Sequence, residues 1–457
     1  MELSNYPPIS VNAVEEQFML AFAFIADVQS GAPSKKAVDG EANIEKLFDK
    51  KHPTTAAVLE GWKLLYGPSV YTLAGGPARN TTVIFYSQAR NQMVIGVAGT
   101  NFISNYDWFS EDVDVMNLVP WNNTIMAYGA DNQGPATGGF VSAGTARALY
   151  HTWNHSIHHQ SKDKDITPIK WLKNNIANYA NDKLKVTVTG HSLGGAISPA
   201  LALALHENRE DWNGFKNNGE EIPVESYIFA GPSPGDEAFM DYVGKQITYH
   251  SYRNKNDVVP HAWVIDELKS LHSLFNPVLM QAERDNNGCI VYWVIQTLVA
   301  EATKAHDDGH TYVRWNQESE FTSTFTKISE KDVEKDQIQA EQLLKYMKPS
   351  RIDDLYTLTK AIREIEPIVT DPKNAVLLPF LTYFVEFMNT LGEQHTTAYQ
   401  NFFFNNTAFE TELKSIFYAK TDNAAAGLDF LYVVEELIKD ITIYYTKYRK
   451  KPVPVPS

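Results

Sequence analysis

The residues best placed to do chemistry are Gly190-His191-Ser192-Leu193-Gly194. A serine with glycines two positions to either side has the form of a nucleophile turn. Its chemistry would be acyl transfer, in which the hydroxyl attacks a carbonyl carbon. Gly190 and Gly194 would let a strand and a helix pass closely without Cβ collisions. An unaided serine hydroxyl is a weak nucleophile, so a base and an orienting acid must come from elsewhere in the chain. Two acids follow predicted strands. Asp257 lies in Asn254-Lys255-Asn256-Asp257-Val258-Val259-Pro260-His261, and Asp236 in Pro232-Ser233-Pro234-Gly235-Asp236. Asp257 is the first acid in a loop after its strand, and strand ends are where an α/β sheet places its site.

The elements needed to position these groups can be read around them. Leu184 to Thr189 is a β-branched run leading into the pentapeptide. Gly195 to His206, rich in Ala and Leu, reads as a buried helix leaving it, with Pro199 loosening its early turns. Thr82–Ser87 and Gln92–Ala98 flank a short polar turn and predict an antiparallel hairpin. Ala143 to His151 and Lys170 to Lys183 look helical, and Ser226–Ala230 and Ile247–Arg253 predict further strands. Strand, helix and strand in this order imply an α/β fold with a mostly parallel central sheet. From Thr322 the character changes. A charged stretch, Ile328 to Asp336, is followed by apolar residues three or four apart, Leu377 to Leu391 and Leu431 to Tyr448. These are faces of amphipathic helices that pack on each other or on the core. The expected division is residues 1–320 as the α/β unit and 321–457 as a helical C-terminal region, with an extended tail at 450–456.

Composition narrows the partners. The chain has 457 residues and a net charge of −15, which argues against nucleic acid or an anionic membrane as the main partner. Cys289 is the one cysteine, so an internal disulfide and a cysteine zinc cluster are both excluded. No metal or cofactor is expected. The first apolar run, Phe18 to Val28, follows Glu15-Glu16 and contains Asp27. It reads as a helix of the fold rather than a secretory leader, which slightly favours a cytoplasmic location. No uninterrupted apolar stretch reaches the ~18 residues that would suggest a transmembrane segment.

Further motifs fall in the same order as in a known family. The sequence resembles the class 3 lipases, the group that includes the fungal triacylglycerol lipases. Val94 to Thr100 is similar to that family's oxyanion strand, and Asp107-Trp108-Phe109 with Asp112 to the segment after it. Gly139-Phe140 resembles its Gly-Phe helix entry. Gly190 to Ala196 matches its elbow. Phe229 to Phe239 and Asn256-Asp257-Val258-Val259-Pro260 resemble the segments that follow. Ala98 and Gly138 depart from the family's usual Arg and His. The resemblance ends at about Trp315. It implies the α/β-hydrolase fold, favours Asp257 over Asp236 as the acid, and assigns the oxyanion donors to the backbone N–H groups of Leu193 and Thr100. It also implies a base in a late loop with a tyrosine close behind. His306 and His310 both lie in Ala305-His306-Asp307-Asp308-Gly309-His310-Thr311-Tyr312, and His310 fits better.

The expected function is therefore carboxylic ester hydrolysis, most simply of acylglycerols, through Ser192, His310 (or His306) and Asp257. Asn101 to Tyr106 lies where relatives carry a lid. Apolar stretches at Met116 to Met126 and Trp263 to Phe275 suit an acyl chain and transient contact with a lipid interface. The alternatives are a phospholipase A1, a short-chain carboxylesterase, or a non-catalytic lipase-like interaction protein.

Overall fold

Alternating apolar side chains make a sheet that is covered on both faces. The computed structural model describes residues 15–29, 40–71, 79–98, 115, 117–158, 165–179, 181, 183–213, 221–271, 295, 298–300, 302–306, 308–326, 330–350 and 373–417. Helix α1 (Glu15–Gln29) precedes the strands β1 (Lys63–Tyr71), β2 (Arg79–Ser87) and β3 (Gln92–Val97). The predicted hairpin is β2–β3, paired antiparallel from Thr82↔Val97 to Ser87↔Gln92. Along it, Val83, Phe85 and Val94 enter one apolar cluster, while Ile84, Tyr86, Met93 and Ile95 enter another. The period-two pattern thus assigns a face to each residue.

Helix α2 (Ala143–Asn154) starts on Ser142, whose hydroxyl accepts the Thr145 N–H at 3.0 Å, the usual way to satisfy a first-turn donor. Next come β4 (Ile157–His158), β5 (Lys185–His191), α3 (Leu193–Glu207), β6 (Val224–Phe229), α4 (Glu237–Gln246), β7 (Thr248–Asn254) and β8 (Glu318–Phe321). The sheet order is β8-β7-β6-β5-β3-β2-β1-β4. Strands β3, β5, β6, β7 and β8 are parallel, and β2, β1 and β4 extend the sheet antiparallel. The mostly parallel sheet expected from the sequence is present, with an antiparallel flank.

Among the described residues, four further α-helices follow: α5 (Glu330–Tyr346), α6 (Lys373–Gly392), α7 (Ala398–Phe404) and α8 (Ala408–Phe417). A π-turn, Glu393–Thr397, joins α6 to α7. Helices α2 and α3 share an apolar cluster on one face of the sheet. On the other face α1, α7 and α8 share a second cluster with β2 and β6. A third cluster joins α5 and α6 to Val258, Trp263 and Leu268 from the segment after β7. Residue 320, where the sequence suggested a division, falls inside β8. The helices after it share their apolar cores with elements before it.

Thr100, the lid segment Asn101 to Tyr106, the segment Asp107 to Asp112, Leu274-Phe275 and the helical pattern Leu431 to Tyr448 lie outside the described residues. Among the described residues no helix is long and apolar enough to cross a membrane.

Candidate active site

Ser192 sits between β5 and α3 with φ 59° and ψ −132°. A left-handed φ on a residue with a Cβ costs about 1–3 kcal/mol and persists only where its surroundings hold it. Here the Ser192 N–H donates to the Phe229 carbonyl at 3.0 Å, and the Gly195 N–H donates to the Ser192 carbonyl at 2.8 Å. The glycines are required by contact. A Cβ on Gly190 would lie 2.1 Å from the Gly194 carbonyl oxygen, and one on Gly195 would lie 2.8 Å from the Gly231 Cα. Ser192 is 1% exposed, and its Oγ has no hydrogen-bond partner among the described residues. Leu193 opens α3, so its backbone N–H belongs to the first turn, where helices offer no internal acceptor.

Asp257 follows the C-terminal end of β7 and is fully buried. Its Oδ1 accepts the Val259 N–H at 3.0 Å, and its Oδ2 lies 2.8 Å from His395 Nδ1. The Tyr399 hydroxyl also bonds this carboxyl while accepting the Asn254 N–H at 2.9 Å. Burial pushes the Asp257 carboxyl up to about 7. The Val259 N–H, the nearby His191 and His261 rings and the Tyr399 hydroxyl hold it from going further.

His395 comes from the π-turn and is likewise 0% exposed. A π-turn inserts an extra residue into a helix and re-aims what it carries, a device often found at functional sites. Its neighbour Gln394 is clamped. Asn254 Nδ2 donates to the Gln394 carbonyl and to its Oε1, both at 3.0 Å, and the Ser323 hydroxyl donates to the same Oε1. Gln394 Nε2 in turn reaches the Thr324 carbonyl at 3.3 Å. From the elbow, His191 Nε2 meets the His395 carbonyl oxygen at 2.8 Å, and the two rings lie 4.5 Å apart. His395 is therefore locked against the residue that precedes Ser192. Burial, and then the neighbouring His191, hold the His395 ring well below the usual histidine range.

The two histidines expected from the sequence stand elsewhere. His310 Nδ1 is 3.7 Å from Asp236 Oδ2, and its ring packs 4.1 Å from Phe140. His306 is exposed on its helix. The structure differs from that expectation at one contact: Asp257 pairs with His395 and with neither of these. Tyr312, which made His310 attractive, donates its hydroxyl to the Val115 carbonyl at 2.8 Å. Asp236, the rival acid, has its own work. Its Oδ1 accepts the Phe239 N–H at 2.9 Å as the cap of α4 and the Phe140 N–H at 3.0 Å. His395, which the sequence did not single out, lies in Gly392-Glu393-Gln394-His395-Thr396-Thr397, a polar interruption in an otherwise apolar helical pattern.

The elbow and the acid lie in a stretch that known proteins share. Residues 94–267 match the family model described as lipase (class 3). This segment belongs to the class 3 lipase family. Ser192, Leu193 and Asp257 are within the class 3 lipase segment, whereas His395 lies beyond it. The chain is 25% identical to phospholipase A1-II 3 of Oryza sativa subsp. indica over 173 residues, 37% of this chain and 38% of that protein. It is 40% identical to the lipase of Rhizomucor miehei over 78 residues, 17% of this chain and 20% of that protein. The chain thus spans less than two fifths of these relatives' length. The crystal structure of M37 lipase aligns with a TM-score of 0.51 at 24% identity, over 69% of this chain and 88% of that one. The class 3 lipase segment is accordingly embedded in an α/β-hydrolase fold.

Proposed function

We propose that this protein is a serine hydrolase of carboxylic esters, of the lipase kind, with Ser192 as nucleophile, His395 as base and Asp257 as the acid that orients it. The observation that carries this reading is the fully buried 2.8 Å contact between Asp257 and His395 beside the strained serine elbow. His395 takes the Ser192 proton as the hydroxyl attacks the ester carbonyl, and Asp257 fixes the ring and stabilises its charged form. The negative charge that develops on the carbonyl oxygen falls on the Leu193 N–H, with the Thr100 N–H as the proposed second donor. An acyl-enzyme forms, the alcohol leaves, and water releases the acid.

An ester with an apolar acyl chain suits the surroundings. The Leu193 side chain packs against the cluster that contains Val258, Trp263, Leu381 and Phe384. The matched relatives are a lipase and phospholipases A1, so a lipid ester is the favoured substrate class. Because Ser192 is 1% exposed, the covering residues must move before substrate reaches it. Contact with a lipid surface is a natural trigger.

Ser192→Ala tests the reading. It should lower hydrolysis of a soluble p-nitrophenyl ester by at least about 10⁴-fold and remove labelling by a fluorophosphonate, with an unchanged circular dichroism spectrum. Turnover that survives the substitution would take Ser192 out of the mechanism. Folded wild-type protein that neither labels nor turns over would favour an interaction module instead. A series of soluble and emulsified esters of increasing chain length separates lipase from phospholipase A1 and short-chain esterase.

A further inference from the structure

The acid and the base of the proposed triad come from distant parts of the chain, and reacting groups must be held to within about 0.5 Å of their working geometry. One residue between them has all its polar groups engaged in that task. Asn254 closes β7 and is fully buried. Its carbonyl accepts the Asp257 N–H at 3.0 Å, which sets the turn that carries the acid. Its own N–H donates to the hydroxyl of Tyr399, one helical turn past His395, at 2.9 Å. Its side-chain Nδ2 donates to the Gln394 carbonyl and to Gln394 Oε1, next to the base. Its Oδ1 accepts the N–H groups of Asn256 and Ser323, each at 3.2 Å.

The Asn254 amide thus has two acceptors on its nitrogen side and two donors on its oxygen side, which is its full capacity. Turned over, it would set N–H against N–H and oxygen against oxygen, so it has one orientation. Apolar side chains would also join a helix to a sheet, but without direction. A satisfied, buried polar network fixes a single arrangement. Here that arrangement ties the turn of the acid, the π-turn of the base and the chain leaving β8 to one side chain.

We propose that Asn254 is a positioning residue that holds His395 in the one orientation from which it serves both Ser192 and the leaving group. The inference rests on the triad reading above. In acylation the ring takes the Ser192 proton as the bond from Oγ to the carbonyl carbon forms. It then returns that proton to the alcohol oxygen as the ester bond breaks. The same nitrogen must therefore reach two atoms in turn, and a ring free to tilt serves one at the expense of the other. An alkyl alcohol needs the returned proton in order to leave. p-Nitrophenolate is a stable anion and leaves without it.

The test compares kcat/KM of the full chain on the ethyl and the p-nitrophenyl esters of butanoic acid. The acyl group is shared, so the ratio of the two values reports the leaving-group step. It does not depend on how much of the protein is folded, and a merely structural role leaves it unchanged. Asn254→Ala should lower the ethyl ester value at least about tenfold more than the p-nitrophenyl value. Gln394→Met removes the side-chain contacts but keeps the Asn254 bond to the Gln394 carbonyl. It should move the ratio the same way by about threefold. An unchanged ratio in Asn254→Ala overturns the proposal, and Gln394→Met decides the matter alone if Asn254→Ala does not fold. Fluorophosphonate labelling of Ser192 separates the two readings. Wild-type labelling with an unchanged ratio in the variant removes only the role of Asn254, whereas wild-type protein that does not label removes the triad and that role with it.

Discussion

Ser192 and His395 answer to different physical demands. The turn around Ser192 is a local demand. A left-handed serine between a strand and a helix needs small neighbours at fixed offsets, so Gly190, Gly194 and Gly195 mark it in the sequence. Asp257 is nearly as local, since it follows directly from the end of its strand. A base has no such constraint, because any histidine that the fold brings to the carboxylate will serve. His395 is 138 residues from Asp257 along the chain. His310 drew attention through Gly309, which does adopt a positive φ of 93°, yet that loop turns His310 toward Asp236. The two histidines give opposite expectations. His395→Ala should lower kcat by about 10⁴-fold or more, whereas His310→Ala and His306→Ala should keep turnover within a few-fold of wild type. Comparable losses in His310→Ala and His395→Ala, measured on one ester under one set of conditions, would refute this assignment.

Elements were more legible than contacts. Period-two runs predicted the β2–β3 hairpin, and the apolar spacing Leu377 to Leu391 falls within α6. The π-turn was not legible, because one extra residue in a helix shifts its phase without leaving a gap or a breaker. Its role can be tested by removing that residue. Deleting Thr397 should restore a continuous α-helix and rotate α7 by about 100° relative to α6. His395 and Tyr399 could then no longer reach Asp257 together. Misplacing a reacting group by about 1 Å can cost on the order of 10²-fold, so kcat should fall at least that far. Helix content by far-ultraviolet circular dichroism should persist. Full activity in the deletion variant would show that the π-turn does not aim the base.

At the scale of the whole molecule, the sequence suggested an α/β unit followed by a helical region packed on itself or on the core, and α7 packs on the sheet. Phe403 of α7 is 0% exposed, and its ring meets Phe229 of β6 and Tyr252 of β7 edge-on, each at 5.4 Å. The tail helices therefore finish one face of the sheet. Sequence periodicity reports that a helix has an apolar face but not which partner covers it, so the choice between the other helices and the sheet stayed open. Phe403→Ala should destabilise the protein by about 3–5 kcal/mol in urea titrations. Activity and tertiary structure should be lost together in a single transition. An early loss of the C-terminal helices, with the sheet still folded, would mean that the two parts are separable.

The route of the chain through its own site also has a consequence for synthesis. His191 and His395, which touch, are 204 residues apart. A ribosome makes and exposes the serine elbow long before it reaches the π-turn, and nascent chains begin to fold as they emerge. Under the proposed assignment, for that interval the emerging polypeptide carries a nucleophile without a base, inert toward any ester it meets. If the proposed triad is right, catalysis begins as a late event in the life of each molecule, once the π-turn has been made and packed.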